Sequence, residues 1–189
     1  MMIWIDSREK DHAIQKILNH FQSVHTKYFV SKLPVGDYMS LDNPRLVIDR
    51  KQNLSELCQN VCQDHKRFRS ELERANEYGI KLIILCEHGG AVKELKDVIH
   101  WINPRLRLSP MAMSGERLYK VLSAMGEKYG VRFEFCKKAD TGEVYVLEFS
   151  RESVRFAEQR GFKISELLDF PQTNIPNLFF YAFRKTIKT

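Results

Sequence analysis

The sequence predicts an α/β fold in which a mixed sheet is flanked by helices. Short apolar runs rich in β-branched residues alternate along the chain with segments whose apolar residues recur every three or four positions. The apolar runs are typical of buried strands, and the three-or-four spacing is typical of amphipathic helices. Residues 80–86 are the most strand-like run and are apolar on both faces, as expected of a central strand. Strands mixed with helices in this way indicate a layered α/β domain.

Four strands and one helix are expected in the first fifty residues. The helix is predicted by apolar residues at three-and-four spacing, and Pro34 and Gly36 break the chain between two of the strands. The strands are placed at residues 3–5, 28–33, 37–39 and 46–48, and the helix at residues 10–21.

A helix should follow the fourth strand, because Asn53 is a suitable cap and Glu56 stands three residues later, in the capping-box position. The run at residues 131–135 alternates like a half-buried strand. The helices of this part are expected at residues 54–62, 65–78, 91–99 and 115–129.

A polar turn at residues 139–142 predicts a boundary between a domain at residues 1–142 and a small helical C-terminal appendage at residues 143–189. The appendage is expected to begin with a strand at residues 144–149 and to continue as helices. Seven of the 12 phenylalanines lie in it, and a segment this short rarely folds alone. Its apolar surface is therefore expected to pack on the first domain, a second copy or another protein.

Composition excludes some classes of protein. No run approaches the roughly 18–20 apolar residues of a membrane span, and the N-terminal residues do not resemble a secretory signal. Four cysteines in a chain that is 43% hydrophobic do not indicate a disulfide framework. A cytoplasmic protein without membrane partners is expected.

The charge distribution indicates where a polyanion would bind. Lys and Arg outnumber Asp and Glu by 30 to 24, for a net charge of +6. Residues 143–189 hold 7 basic and 6 acidic residues, which leaves 23 against 18 in the first domain. A nucleic-acid surface, if present, is expected in that larger part.

A set of carboxylates and a lysine near the fourth strand suits phosphodiester hydrolysis. Such a reaction uses a divalent cation to activate water and neutralise developing charge, and hard cations take oxygen ligands. Strand alternation places Asp49 and Lys51 on one face and Arg50 on the other. Asp37 follows a turn upstream. An Asp-x-Lys motif alone is weak evidence, and a solvated strand end is the alternative interpretation.

Three ordered motifs strengthen the prediction: IDSRE at residues 5–9, LPVGDY at 33–38 and VIDRK at 47–51. Together they resemble the XPF-type nuclease domain of the restriction-endonuclease-like superfamily, whose pattern is Val-Asp-x-Arg-Glu, Gly-Asp-Tyr and Glu-Arg-Lys. KRFRSE at residues 66–71 is similar to a later basic segment of that family. The resemblance covers about residues 3–87 and implies the corresponding fold. Residues 1–142 as a whole resemble compact nucleases of phages and prophages.

The resemblance implies a metal-dependent DNA endonuclease that uses Mg²⁺ or Mn²⁺. Asp37 and Asp49 would bind the metal, with Asp6 as a third carboxylate beside it, and Lys51 would act on the water or the transition state. Arg8 and Glu9 would lie in the active-site shell. The residues expected to be catalytic are Asp6, Glu9, Asp37, Asp49 and Lys51, and those expected to bind DNA are Arg8, Arg50, Lys66, Arg67 and Arg69.

Three departures from the family pattern limit the prediction. Asp49 replaces the usual Glu, and Ser55 stands where the family has an Asp four residues after the Lys. No helix-hairpin-helix motif is found in residues 88–189, so a branched or flap substrate is an open question. The alternative function is a catalytically decayed DNA-binding or phage-assembly interaction module.

Other features have two interpretations. Cys58, Cys62 and His65 at i, i+4 and i+7 form a possible zinc face, but the cysteines also continue an apolar stripe. Trp101 belongs either to a DNA-facing loop or to the core. The C-terminal tail weakly resembles a phage tail-assembly chaperone, which implies an interaction module and a phage or prophage origin. A homodimer is possible.

Overall fold

The computed structural model describes residues 1–159 and confirms the predicted α/β architecture. Strands and helices follow one another along the chain, and a polar loop carrying two short 3₁₀ helices connects the fifth strand to the fourth α-helix. In chain order the elements are β1 (Met2–Asp6), α1 (Asp11–Ser23), β2 (Lys27–Ser31), β3 (Tyr38–Ser40), β4 (Asn43–Lys51), α2 (Leu54–Cys62), α3 (His65–Glu77), β5 (Lys81–Cys86), the 3₁₀ helices Leu95–His100 and Pro104–Arg107, α4 (Gly115–Tyr129), β6 (Arg132–Phe135) and α5 (Thr141–Gln159).

The six strands form one mixed sheet in the order β2-β1-β3-β4-β5-β6. β1 pairs with β2 in parallel and with β3 antiparallel. β5 and β6 pair in parallel, with Ile83 opposite Arg132 and Cys86 opposite Phe135. β5 lies inside the sheet and is buried from Leu82 onward. Both of its faces are therefore apolar, as predicted for a central strand.

The chain divides into two compact units, and β4 contributes to both of them. The first unit comprises residues 1–46 together with the described residues from Ala139 onward. Its core is formed by β1, by one face of α1 and by α5. The side chains that are fully or almost fully buried there include Ile3, Ile5, Ile14, Ile17, Phe21, Tyr38, Tyr145, Val146 and Phe149.

The second unit, Val47–Lys138, contains the end of β4 and the elements up to β6. Within it α2 packs on α3, and α3 contacts β5 and α4. The buried side chains that hold these elements together include Leu54, Leu57, Phe68, Leu72, Ile83, Ile84, Leu118 and Leu122.

The predicted Asn53 cap of α2 is confirmed, whereas the Glu56 side chain reaches back to Gln52 and not to the N–H of Asn53 that a capping box uses. Asn53 Oδ1 accepts a hydrogen bond from the backbone N–H of Glu56 at 2.9 Å, and Glu56 Oε2 accepts one from the backbone N–H of Gln52 at 2.8 Å. His88 Nδ1 also lies 3.4 Å from the N–H of Leu54, the first residue of α2. Two of the donors that a helix start leaves unpaired, the N–H groups of Leu54 and Glu56, are therefore satisfied.

The prediction of a strand at residues 144–149 was wrong, because this segment belongs to the first part of α5. Its Val-Tyr-Val sequence has high β-propensity, but Tyr145, Val146 and Phe149 lie on one buried helical face. The ring of Tyr145 stacks on that of Tyr38 with centroids 4.2 Å apart. Packing against α1 and Tyr38 thus outweighs local propensity. Helices predicted beyond residue 159 lie outside the described residues.

Two predictions in the second unit also change. The helix expected at residues 91–99 is replaced by the 3₁₀ helix Leu95–His100. α2 ends at Cys62 and His65 begins α3, so the proposed zinc face does not lie on one helix. Within residues 1–159 no group of three or more His, Cys, Asp or Glu side chains has an arrangement that would hold a metal ion.

No helix among the described residues is both long enough and apolar enough to span a membrane.

Candidate active site

Asp49 and Lys51 lie near the end of β4 and share one face of the strand, as alternation requires. Lys51 Nζ is 2.6 Å from Asp49 Oδ2, and both side chains are at most one-tenth exposed. The ammonium forms an ion pair with this oxygen without hydrogen-bond alignment, so Oδ2 accepts no hydrogen bond from the described residues although it is buried. Beside the ammonium this oxygen keeps a second lone pair, which a further electropositive group can use.

Neighbouring elements hold Lys51 in place. Its carbonyl oxygen accepts a hydrogen bond from the backbone N–H of Glu87 at 2.7 Å, which connects the end of β4 to the residue after β5. Its Nζ lies 5.8 Å from the centre of the Phe68 ring on α3, within reach of a cation–π interaction. The ammonium is thus confined between a carboxylate and an aromatic ring.

Arg50 is buried, and its side chain is only 3% exposed. Its Nη1 donates to Glu87 Oε2 at 3.0 Å, and the Glu87 side chain is 1% exposed. Sequence reasoning did not single out Glu87, although a signal was present: a carboxylate directly after the most apolar strand needs a buried partner. The pair holds the ends of β4 and β5 together within the second unit.

Asp6, at the end of β1, is fully buried and accepts four hydrogen bonds. Oδ1 receives the backbone N–H and Nε of Arg8, both at 2.7 Å. Oδ2 receives Nη2 of Arg8 at 3.0 Å and the backbone N–H of Leu33 at 2.6 Å. Burial raises the pKa of Asp6, but these donors outweigh burial and hold the pKa below its usual value. A carboxylate has about four acceptor positions, and all of them are used here.

The turn before β3 is tied to the same region of the first unit. The backbone N–H of Asp6 donates to the carbonyl oxygen of Asp37 at 2.8 Å, and Asp37 itself is half-buried. Gly36 has a φ of 63°, a left-handed conformation that favours glycine. Tyr38 Oη donates to Glu9 Oε2 at 2.9 Å. The first and second motifs are therefore joined by direct hydrogen bonds.

The basic residues of α3 lie on its exposed face, while Phe68 and Leu72 face the core. Arg67 is 78% exposed on its side chain and has a long contact of 3.7 Å to Asp64. Arg69 is 58% exposed and pairs with Glu73 at 2.8 Å. Lys66 is exposed as well. Weak exposed pairs of this kind leave the guanidinium groups accessible to an anion.

The structure also shows where Ser55 and Trp101 lie, two residues that the sequence analysis left with alternative interpretations. Ser55, which replaces the family Asp, is exposed in the first turn of α2. Trp101 is 9% exposed and makes an edge contact with the ring of His88, with centroids 6.5 Å apart. Of the two interpretations of Trp101, the structure supports the core residue.

The described carboxylates fit a hard divalent cation in part. Asp49 offers a buried oxygen without a hydrogen bond, and Mg²⁺ is commonly bound through one or two carboxylates, with water and substrate phosphate completing the shell. Asp6 offers no vacant oxygen, because both of its oxygens accept hydrogen bonds within the first unit. Because water and substrate phosphate can complete the shell, the fit does not require three protein ligands.

A protein-family model described as the ERCC4 domain matches residues 5–147. The chain belongs to the ERCC4 domain family. The match includes all three ordered motifs and extends from the end of β1 to the start of α5. A second model, a domain of unknown function named DUF5055, matches residues 130–189 and overlaps the end of the first match.

Solved structures show the same fold. XPF from Aeropyrum pernix superposes with a TM-score of 0.59 at 21% sequence identity, over 100% of this chain and 81% of that one. XPF from Aeropyrum pernix in complex with DNA gives a TM-score of 0.54 at 20% identity, over 99% and 80%. None of the curated proteins matches the chain. The resemblance to the XPF-type domain, predicted from three short motifs, is confirmed.

Proposed function

We propose that this member of the ERCC4 family is a divalent-metal-dependent DNA endonuclease that hydrolyses phosphodiester bonds. The observation that supports this most directly is the Asp49–Lys51 pair at the end of β4. A buried carboxylate oxygen without a hydrogen bond stands beside a confined ammonium, which is the pairing of charges that hydrolysis of a phosphodiester requires.

Asp49 and Asp37 are the proposed ligands of Mg²⁺ or Mn²⁺. Asp49 is proposed from its buried oxygen, and Asp37 from its place in the Gly-Asp-Tyr motif. When bound, the cation would neutralise the charge on the phosphate and lower the pKa of a water molecule. Oxygen ligands suit both of these hard ions.

Asp6 and Glu9 are proposed to organise the site. Asp6 holds Arg8 and the segment at Leu33 through four hydrogen bonds, so it would support the metal ligands rather than replace one of them. Glu9 accepts from Tyr38, the residue after Asp37. These contacts fix the backbone of the turn that carries the proposed ligand.

Lys51 is proposed to stabilise the transition state or to orient the attacking water. An ammonium is not a metal ligand, but its distance of 2.6 Å from Asp49 Oδ2 places a positive charge next to the proposed metal ligand. Contact with the Phe68 ring limits its movement. Preorganised charge of this type acts more strongly in a site from which water is excluded.

DNA backbone contacts are proposed for the exposed cations Arg8, Lys66, Arg67 and Arg69. Contacts of this kind bind phosphate without reading sequence. Arg50 has a different proposed role, because it is buried against Glu87: it would support β4 from the opposite face. A branched or flap substrate stays a prediction.

A second candidate function is a DNA-binding module with a decayed site. Ser55 in place of a family Asp favours it, since the exposed start of α2 then lacks one carboxylate. The intact Asp49–Lys51 pair favours the enzyme. Homodimerisation, a protein partner for residues 143–189, a cytoplasmic location and a phage or prophage origin are further predictions.

The two functions are separated by a cleavage assay on labelled flap, junction, linear duplex and single-stranded DNA, with Mg²⁺, with Mn²⁺ and with chelator. The enzyme is expected to cut at least one substrate only when metal is present, and Asp49→Asn is expected to bind DNA without cutting it. Asp42→Asn is a matched control, since Asp42 is half-exposed in the turn before β4. Binding without cleavage of any substrate by the wild type would favour the decayed module instead.

A further inference from the structure

Three sulfur atoms lie together on the second unit. Cys58 Sγ is 3.9 Å from Cys62 Sγ, and Cys62 Sγ is 3.8 Å from Met113 Sδ. The cysteines stand one turn apart on α2, and Met113 comes from the loop that precedes α4. The sequence pattern contained the two cysteines, but only the tertiary structure adds the thioether from a residue 51 positions away.

The sulfurs line an open cavity of about 220 Å³. Cys58 is 7% exposed, Cys62 is exposed and Met113 is half-buried, so the cluster has both a buried floor and access to solvent. Asn103 Nδ2 donates to the carbonyl oxygen of Met113 at 2.9 Å and lies 3.8 Å from Cys58 Sγ. Asn103 is itself 3% exposed and anchors the methionine loop to α2.

We propose that Cys58, Cys62 and Met113 form a binding site for a soft monovalent metal ion of the Cu(I) class. Metal–thiolate bonds are about 2.3 Å long. An ion equidistant from three sulfurs at that length separates the sulfurs by roughly 3.8 Å in tetrahedral and 4.0 Å in trigonal geometry. The two separations that Cys62 Sγ makes, 3.9 Å to Cys58 Sγ and 3.8 Å to Met113 Sδ, match these values.

Ligand chemistry selects the class of ion. Thiolate and thioether sulfur favour Cu(I), whereas structural Zn²⁺ takes thiolate, imidazole or carboxylate. His65 is not on the same helix, and Met113 occupies the place of a third ligand. Metal binding to cysteine displaces protons, because the thiolate is the ligand.

The site stands independently of the nuclease proposal and is tested by metal binding. The full chain is titrated under anaerobic, reducing conditions with Cu(I) held by a chromophoric chelator. One equivalent is expected to transfer to the wild type, and X-ray absorption is expected to show copper surrounded by sulfur. Cys62→Ser and Met113→Leu are each expected to lower the affinity by about tenfold or more, since even indirect changes around metal sites cost about 10–100-fold.

Cys136→Ser is the matched control, because Cys136 follows β6 and its N–H bonds to Cys86, outside the cluster. It is expected to bind Cu(I) like the wild type. The proposal is overturned if Cys62→Ser and Met113→Leu, folded by circular dichroism, keep wild-type affinity, or if Cys136→Ser alone removes binding. Tighter binding of Zn²⁺ than of Cu(I) would overturn the proposed class of ion. Cys58→Ala removes the buried ligand and is expected to lower the affinity for Cu(I) as well.

Discussion

The buried pair of Arg50 and Glu87 makes a stability prediction that does not depend on catalysis. Glu87→Gln keeps the size of the side chain and removes its charge, which leaves a guanidinium that is 3% exposed with less compensation. Breaking a buried ion pair by removing one partner costs about 3–5 kcal/mol, because the remaining charge stays desolvated. For a chain of this size that corresponds to a fall in melting temperature of roughly 6–20 °C.

The free energy of unfolding is measured by urea denaturation followed by circular dichroism. Two controls accompany Glu87→Gln. Glu73→Gln breaks the exposed pair with Arg69 and is expected to change stability by no more than about 0.5 kcal/mol. The double variant Arg50→Met with Glu87→Leu removes both charges and is expected to be more stable than Glu87→Gln alone, since no buried charge is left uncompensated.

A loss of less than about 1 kcal/mol for Glu87→Gln would refute the reasoning, because it would mean that the pair is hydrated in solution. The same conclusion would follow if the double variant were less stable than Glu87→Gln. In either case the proposed role of Arg50 as a support for β4 would be wrong. The prediction from sequence that Arg50 binds DNA would then be the better interpretation.

Three further predictions concern the core, the pH dependence and the DNA surface. Tyr145→Ala is expected to cost roughly 3–5 kcal/mol in urea denaturation, because it removes a fully buried ring stacked on Tyr38; a loss under about 1 kcal/mol would show that α5 does not pack there. Since the pKa of Asp6 in the folded protein lies below 3.8, its stabilising effect is present above that pH and is lost as the pH falls through the folded value. The difference in unfolding free energy between wild type and Asp6→Asn should therefore be larger at pH 7 than at pH 3, and equal differences at the two pH values would argue against the hydrogen-bonded carboxylate. Finally, DNA affinity should fall steeply with salt, and Arg67→Ala should reduce the slope of log K against log salt by about 0.9 if it contacts one phosphate; an unchanged slope would remove Arg67 from the interface.

Local sequence was sufficient for much of the fold and for part of the candidate site. The capping of α2 depends on residues three and four positions apart, and strand alternation places Asp49 and Lys51 on one face whatever surrounds them. Three short motifs were enough to indicate the family, because each combines a turn or strand end with a charged residue. These features are determined within a few residues of chain.

Long-range packing decided the rest. The helical state of the segment at Tyr145 results from a partner more than one hundred residues away, which no local propensity contains. Arg50 became a buried support because Glu87 follows another strand, and Asp6 became saturated because Leu33 returns to it. Sequence alone determined which residues carry charge and, through strand or helix periodicity, which of them share a face. Only the tertiary structure decided which of those charges are already satisfied, because burial and hydrogen bonding depend on residues that are distant in the chain and adjacent in space.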